Sequence, residues 1–418
     1  MKKTLLLQTA LVAAVGLFVA DFASAQTVKA EPIGVTVGGY MNRGVRFNNF
    51  EDGKTGQTDV RSTGMFGDSE VWFNIRAVLD NGLRVGGRIE LEGQSEGDQI
   101  DESYMFMEHD NVGRMELGST DRVATKMIYG APTAIPNLNT VVFSTEANPI
   151  VTPTGNSALG PLMRFRSGSD DAEGINLYTA RYFGSKAGKG LQVGFSWAPD
   201  NCQDSAATAS GGSENACLAN ISSIDANGTV AAPRYANQRQ VAANYLESFG
   251  SVDLALYGAV QRFDLENTGT AATSLNAKNL GGWTLGTALT YNVGDGSTVS
   301  LGGGYKKEDI AENKNAAAGT LGTQDRNAWN IGLRYLTNGA AAGSIGLGVE
   351  YFAAKADNGI GDSREDKSSW VSLGLTYQLA PGILTYAGVG QYQFEDGTGA
   401  AALDTKTEFG IVGVNLTF

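Results

Sequence analysis

The C-terminal stretch Phe409-Gly410-Ile411-Val412-Gly413-Val414-Asn415-Leu416-Thr417-Phe418 alternates strictly. Val412, Val414, Leu416 and Phe418 share one face, and Gly413, Asn415 and Thr417 share the other. The same pattern, ending in an aromatic residue, recurs upstream at Tyr377, Tyr335, Tyr291 and Tyr245. From Tyr245 onward the spacings are 46, 44, 42 and 41 residues, about the length of one hairpin with its connections. An apolar face, a polar face and an aromatic edge, repeated in phase, describe strands that cross a membrane. One such stripe would suit a sandwich core. Five in phase, each followed by a short turn or the chain end, do not.

Counting outward from this series gives sixteen strands. They are expected at 33–47, 69–79, 83–92, 103–109, 114–118, 175–183, 191–197, 238–245, 252–263, 282–291, 298–306, 328–335, 344–352, 370–377, 383–392 and 407–418. The expected fold is all-β, a closed transmembrane antiparallel barrel, because lipid offers no partner to a free strand edge. Connections alternate between short turns, such as Asp80-Asn81-Gly82, and long polar loops, such as 48–68, 198–237 and 307–327. That asymmetry between the two rims is the outer-membrane pattern. From Trp283 to Tyr291 is eight residues, about 27 Å of strand and about 20 Å of membrane thickness once tilted.

Residues 1–25 read as a secretory signal. Lys2 and Lys3 precede an apolar run, and Ala23-Ser24-Ala25 forms a cleavage site before Gln26. The leader carries two Lys and one Asp, so the chain's −13 becomes −14 in the mature protein. Residues 26–418 then form one barrel domain. After Ala25 no apolar run approaches the ~18 residues of a spanning helix. Glycine is 56 of 418 residues, well above the usual ~7%, which suits a wet interior. Cys202 and Cys217 lie 15 apart in one loop. Export to an oxidising compartment favours a disulfide, constraining the unfolded chain by about 3 kcal/mol. A metal site there needs more ligands than the single His109 supplies.

Between Gly118 and Gly174 no strand is evident, and Pro132, Pro136, Pro149, Pro153 and Pro161 fall there. A segment this long without regular structure tends to be functional. It is expected to fold into the barrel and narrow it. Alternation places Arg46, Arg76, Arg84 and Arg88 inward from three adjacent strands, with Tyr40, Asn42, Glu70, Trp72, Asn74, Glu90 and Glu92. Arg43 lands on the apolar face. Asp121 and Glu146 lie inside the 119–173 segment, with Asp170, Asp171 and Glu173 near its end.

The chain resembles the general porins of Gram-negative bacteria, most closely the alphaproteobacterial group, over nearly all its mature length. The resemblance is carried by the first strand, Ile33 to Phe47, and by Asp68-Ser69-Glu70-Val71-Trp72-Phe73 through Glu90-Leu91-Glu92. Asn111-Val112-Gly113-Arg114-Met115-Glu116-Leu117-Gly118 lies before the long segment. Ile175-Asn176-Leu177-Tyr178 through Leu191 to Asp200 lies after it, and Phe418 ends the chain. The resemblance implies a sixteen-stranded homotrimer whose third external loop, here 119–173, forms a constriction opposite a basic cluster. It also implies that the terminal aromatic is read by the outer-membrane assembly machinery. The expected partners are outer-membrane lipid, lipopolysaccharide and small hydrophilic solutes, and not nucleic acid.

The expected function is passive diffusion of small hydrophilic solutes and ions. A sugar-selective channel would need a lumenal track of aromatics, which Trp72 and Tyr40 alone do not make. An enzyme reading is weak: there is no Gly-x-Ser-x-Gly, and His109 is poorly placed for a triad. Gly53-Lys54-Thr55 has Asn48 where a phosphate-binding loop needs glycine. An exported soluble adhesin would not need the aromatic girdle. No cofactor is expected; acidic loops such as 357–366 offer at most weak Ca²⁺ binding, without the spaced ligands of a dedicated site. Intact-mass measurement of protein purified from outer membranes should give a chain beginning at Gln26. A chain retaining residues 1–25 would refute the signal assignment.

Overall fold

Each strand pairs with its sequence neighbours, and the last returns to the first. The computed structural model describes residues 29–50, 62–93, 100–133, 135, 163–165, 170, 172–200, 234–266, 280–315, 320–357, 365–395, 397 and 404–418. The strands are β1 Glu31–Phe50, β2 Thr63–Val78, β3 Arg84–Glu92, β4 Ile100–His109, β5 Gly113–Ser119, β6 Glu173–Thr179, β7 Gly190–Asp200 and β8 Arg234–Phe249. They continue as β9 Val252–Glu266, β10 Leu280–Asn292, β11 Thr298–Asn315, β12 Thr320–Leu336, β13 Ile345–Asp357, β14 Glu365–Ala380, β15 Ile383–Glu395 and β16 Thr405–Thr417. A short helix, α1, spans Val123–Lys126. The order closes as one antiparallel barrel, as the sequence predicts. Among the described residues no helix is long and apolar enough to cross a membrane.

Several strands run past their predicted ends toward the long connections. β11 and β12 stay paired from Lys307↔Asn327 out to Asn315↔Thr320, where a loop over 307–327 is expected. The apolar alternation ends near Tyr305 and Trp329, but the backbone ladder continues beyond it. β6 is the opposite case. It ends at Thr179 rather than Phe183, and Phe183 sits at φ 62 in a turn.

The two faces separate as the pattern requires. Val35, Val37, Leu285, Ile331 and Leu347 are exposed. On the alternate positions Phe352, Trp370 and Tyr392 are buried. In a single barrel only the concave side can bury a ring, so this second face is the lumen. Tyr291, Tyr335, Tyr377 and Phe418 stand on the convex face at the short-turn rim. Near the opposite rim, Trp283 packs on Tyr305 at 5.3 Å and Trp329 on Tyr351 at 5.1 Å. Two aromatic belts thus bound the apolar band.

Phe418 also closes the seam. Its N–H donates to Gly39 O and its carbonyl accepts from Gly39 N–H, both at 3.0 Å. Its ring lies over Gly39, where a Cβ would meet the ring at 2.6 Å. Deleting Phe418 removes two ladder hydrogen bonds worth about 1 kcal/mol each and the rim aromatic. We expect deletion, or Phe418→Asp, to lower the yield of heat-modifiable barrel on gels far more than the conductance of barrels that form. Normal assembly would contradict a role for the rim series in closure.

Candidate channel lining

The register sets Arg46, Arg76, Arg84 and Arg88 on the concave face and gathers three of them: Arg76 lies opposite Gly86, between Arg84 and Arg88 on the neighbouring strand, while Arg46 stands apart. Arg46 pairs with Gly64, and Arg76 lies twelve residues further along β2, about 40 Å of strand. Arg84 contacts Glu108 at 3.1 Å and Asp110 at 2.5 Å, near the short-turn rim. This hydrogen bond holds the Asp110 carboxyl below its usual range. Arg88 pairs with Glu90 and lies over the Trp72 ring, 4.6 Å from its centre. Arg76, Arg84 and Arg88 are thus cross-strand neighbours, Arg84 and Arg88 are each paired with an acid, and only Arg46 lies far from the group. Strand alternation gives the face of a residue but not its height. Arg43 is convex, as predicted. It donates to Asn42 O at 2.7 Å, Asp68 O at 3.3 Å and Ser69 Oγ at 3.4 Å, which satisfies a charge that lipid would not.

The wall also supplies acids that the reading sought in the long segment. Tyr40 donates to Asp68 at 2.7 Å and to Glu70 at 2.9 Å. Carboxylate oxygens of Glu70, Glu90 and Asp101 lie within 4.8 Å of one another. Asp101 and Glu102 escape the pattern because a register shift between Ile89 and Leu91 breaks the alternation there.

The described parts of 119–173 bond to concave-face residues of many strands. Asp121 N–H donates to Glu102 Oε1 at 2.8 Å. Burial pushes the Asp121 carboxyl well above its usual range, and Asp170 and Glu102 add to the shift. Arg122 is 1% exposed. It donates to Gly118 O at 3.3 Å, to Asn176 Oδ1 at 3.4 Å and to Ala172 O, clasping both feet of the segment. Lys126 lies 3.2 Å from Glu116 and over the Tyr104 ring. Ala124 N–H donates to Gln240 at 3.0 Å, Tyr257 O–H donates to Ala124 O at 2.6 Å, and Asn244 donates to Met127 O at 3.1 Å. Ile135 and Met163 join a buried cluster with Phe352, Trp370, Tyr392 and Phe409. Lys306, ion-paired to Glu308 at 2.8 Å, donates to Arg164 O at 2.7 Å. Sequence reasoning missed Gln240, Asn244, Tyr257 and Lys306. Their inward phase was legible, but a partner more than a hundred residues away was not. Glu146, Pro136, Pro149, Pro153, Pro161, Cys202, Cys217 and residues 1–25 lie outside the described residues.

Beside α1 a cavity of about 730 Å³ opens among Glu108, Arg114, Glu116, Lys126, Tyr178 and Arg181. Charges of both signs face it, an environment for water and polar solutes rather than for a packed core.

A family model described as Gram-negative porin matches residues 9–397. The chain belongs to this family. Salmonella typhi OmpF in complex with daunomycin has a TM-score of 0.56 and 13% identity, covering 92% of this chain and 97% of its own. The anion-selective porin from Comamonas acidovorans has 0.54 and 16%, covering 92% and 100%. The trimer form of OmpT from Vibrio cholerae has 0.52 and 14%, covering 93% and 100%. A comparison with curated protein sequences finds no match. At these identities the neighbours support the fold. With the family, the closed barrel is a passive outer-membrane diffusion channel. Family and fold point to a channel rather than an enzyme.

Arg122→Ala would leave the carbonyls of Gly118 and Ala172 without this donor, at a cost of roughly 3 kcal/mol. The temperature at which the barrel loses heat-modifiability should fall. Arg122→Lys should recover little, because one ammonium cannot reproduce the planar fork. Unchanged melting of Arg122→Ala would refute the clasp.

Proposed function

We propose that this porin is a non-specific pore for small hydrophilic solutes and ions, narrowed by residues 119–173. The observation that carries the reading is the set of bonds from Gln240, Asn244, Tyr257 and Lys306, spread over β8, β9 and β11, to the backbone of that segment. A segment tied to the inner wall occupies part of the cross-section. Charged groups of both signs around the remaining path hold ordered water, and a solute passes if it fits and can exchange that water's hydrogen bonds. Low-dielectric walls focus the field of these charges onto the path.

Against a sugar-selective channel stands the burial of the lumenal aromatics on β13 to β16. Phe352, Trp370, Tyr392 and Phe409 pack with one another and with Ile135, so they offer no open track. We also propose export by the 1–25 signal, a homotrimer, and short turns and Phe418 facing the periplasm. The long connections then meet lipopolysaccharide, and the terminal aromatic is read by the assembly machinery. The trimer form of the Vibrio neighbour supports the homotrimer. No cofactor enters the mechanism.

In a planar bilayer with a salt gradient, the purified protein should give stepwise conductance in multiples of three and a defined reversal potential. A correctly folded, heat-modifiable barrel that conducts nothing would overturn the proposal.

A further inference from the structure

Among the described residues, five concave-face glycines meet one stretch of chain in order around the barrel. A Cβ on Gly194 of β7 would lie 2.5 Å from Met127 Sδ. On Gly286 of β10 it would run into the carbonyl of Tyr129, and on Gly302 of β11 into that of Gly130. On Gly332 of β12 it would meet Pro132 O at 3.0 Å and Ala131 Cβ at 3.1 Å. On Gly388 of β15 it would overlap Ile135 Cδ1. Gly302 and Gly332 are direct cross-strand partners, so the bare patches adjoin. The chain advances by about one strand per residue from Tyr129 to Pro132, crossing the ladder rather than following it. Where a side chain interrupts the path it bonds to the segment, as Asn244 does to Met127 O.

We infer that these glycines floor a groove that seats residues 127–133 and 135, and that the depth of this groove sets the calibre of the pore. The inference rests on the reading of 119–173 as the narrowing segment. At Gly286, Gly302 and Gly332 a methyl group would meet the segment's backbone and push it toward the axis, whereas at Gly194 and Gly388 it would push the side-chain ends of Met127 and Ile135. Atoms in contact sit about 3.5 Å apart, so Ile135 Cδ1 would be displaced by about 1 Å or more into the lumen. At Gly302 a Cβ would also meet Thr287 O of β10 at 2.7 Å, and at Gly388 Leu373 O of β14 at 3.2 Å, whereas at Gly194 and Gly332 the nearest atoms all belong to the segment. Gly388 has an ordinary strand conformation, so its need for glycine lies chiefly in the contact with Ile135. Gly410, on the convex face and paired with Phe47 in the β1–β16 seam, supplies a control. A Cβ there meets nothing nearer than 3.9 Å.

The experiment compares Gly388→Ala, Ile135→Val, their double variant and Gly410→Ala, reading unitary conductance in planar bilayers and melting of the assembled barrel. Ile135→Val removes Cδ1, the atom nearest the new methyl. Gly388→Ala should lower unitary conductance and melting temperature, the double variant should restore most of both, and Gly410→Ala should match the parent. Gly332→Ala, with its milder 3.0 Å approach, should give a smaller drop of the same kind. Losses in Gly388→Ala that Ile135→Val does not relieve would overturn the groove. Restored melting with conductance unchanged throughout would overturn its control of calibre. Failure of both alanine variants to assemble would overturn that control in favour of a role in assembly. A parent protein that melts cooperatively but conducts nothing would refute the channel reading, while the melting cycle would still decide whether the groove seats the segment.

Discussion

A peptide group in hydrocarbon has no water to bond to, and each unpaired N–H or C=O there costs several kcal/mol. Closure of the hydrogen-bond ladder is therefore the constraint on which the rest depends. Here it is completed between β1 and β16, from Phe50↔Thr407 to Tyr40↔Thr417, and then by the terminal residue against Gly39. Once the sheet is closed, its two faces are no longer equivalent. One must match lipid, and the other encloses whatever space the strand number leaves. Sixteen strands leave more than side chains alone can fill, so the inner face carries glycine, amides and charges.

That inner face is divided. Around β13 to β16 it holds a dry cluster of Phe352, Trp370, Tyr392, Phe394 and Phe409. Around β2 to β5 it holds Glu70, Glu90, Glu116, Arg88 and Arg114, many of them ion-paired. The segment after β5 joins the two regions. Its first foot is clasped by Arg122 beside the charged wall, and Ile135 docks on the dry cluster opposite. An ion pair as buried as Lys306–Glu308 contributes little net stability by itself. Its use here is positional, because Lys306 also holds the Arg164 carbonyl.

The strand count was legible because alternation and the aromatic rim repeat in phase, and lipid enforces both. Strand ends were not, since nothing in the side-chain pattern marks where a ladder in water stops; β11 and β12 show this. Lumen-facing residues were legible by phase, but their heights were not, because height depends on register. That is why Arg46 and Arg84 looked like neighbours and are not. The bulge beside Ile89 hid Asp101 and Glu102. The glycines under 127–133 and 135 read as a sign of a wet lumen. Their role as a seat becomes visible only when the segment lies on them.

The central claim is that one face of each strand meets apolar surroundings and the other meets water. Single cysteines along β2, in a background with Cys202 and Cys217 replaced by serine, test it most directly. In lipid bilayers a membrane-impermeant thiol reagent should modify cysteines at Trp72, Asn74 and Arg76 and spare those at Phe73 and Ile75. Labelling without a period of two, or confined to Phe73 and Ile75, would contradict the partition.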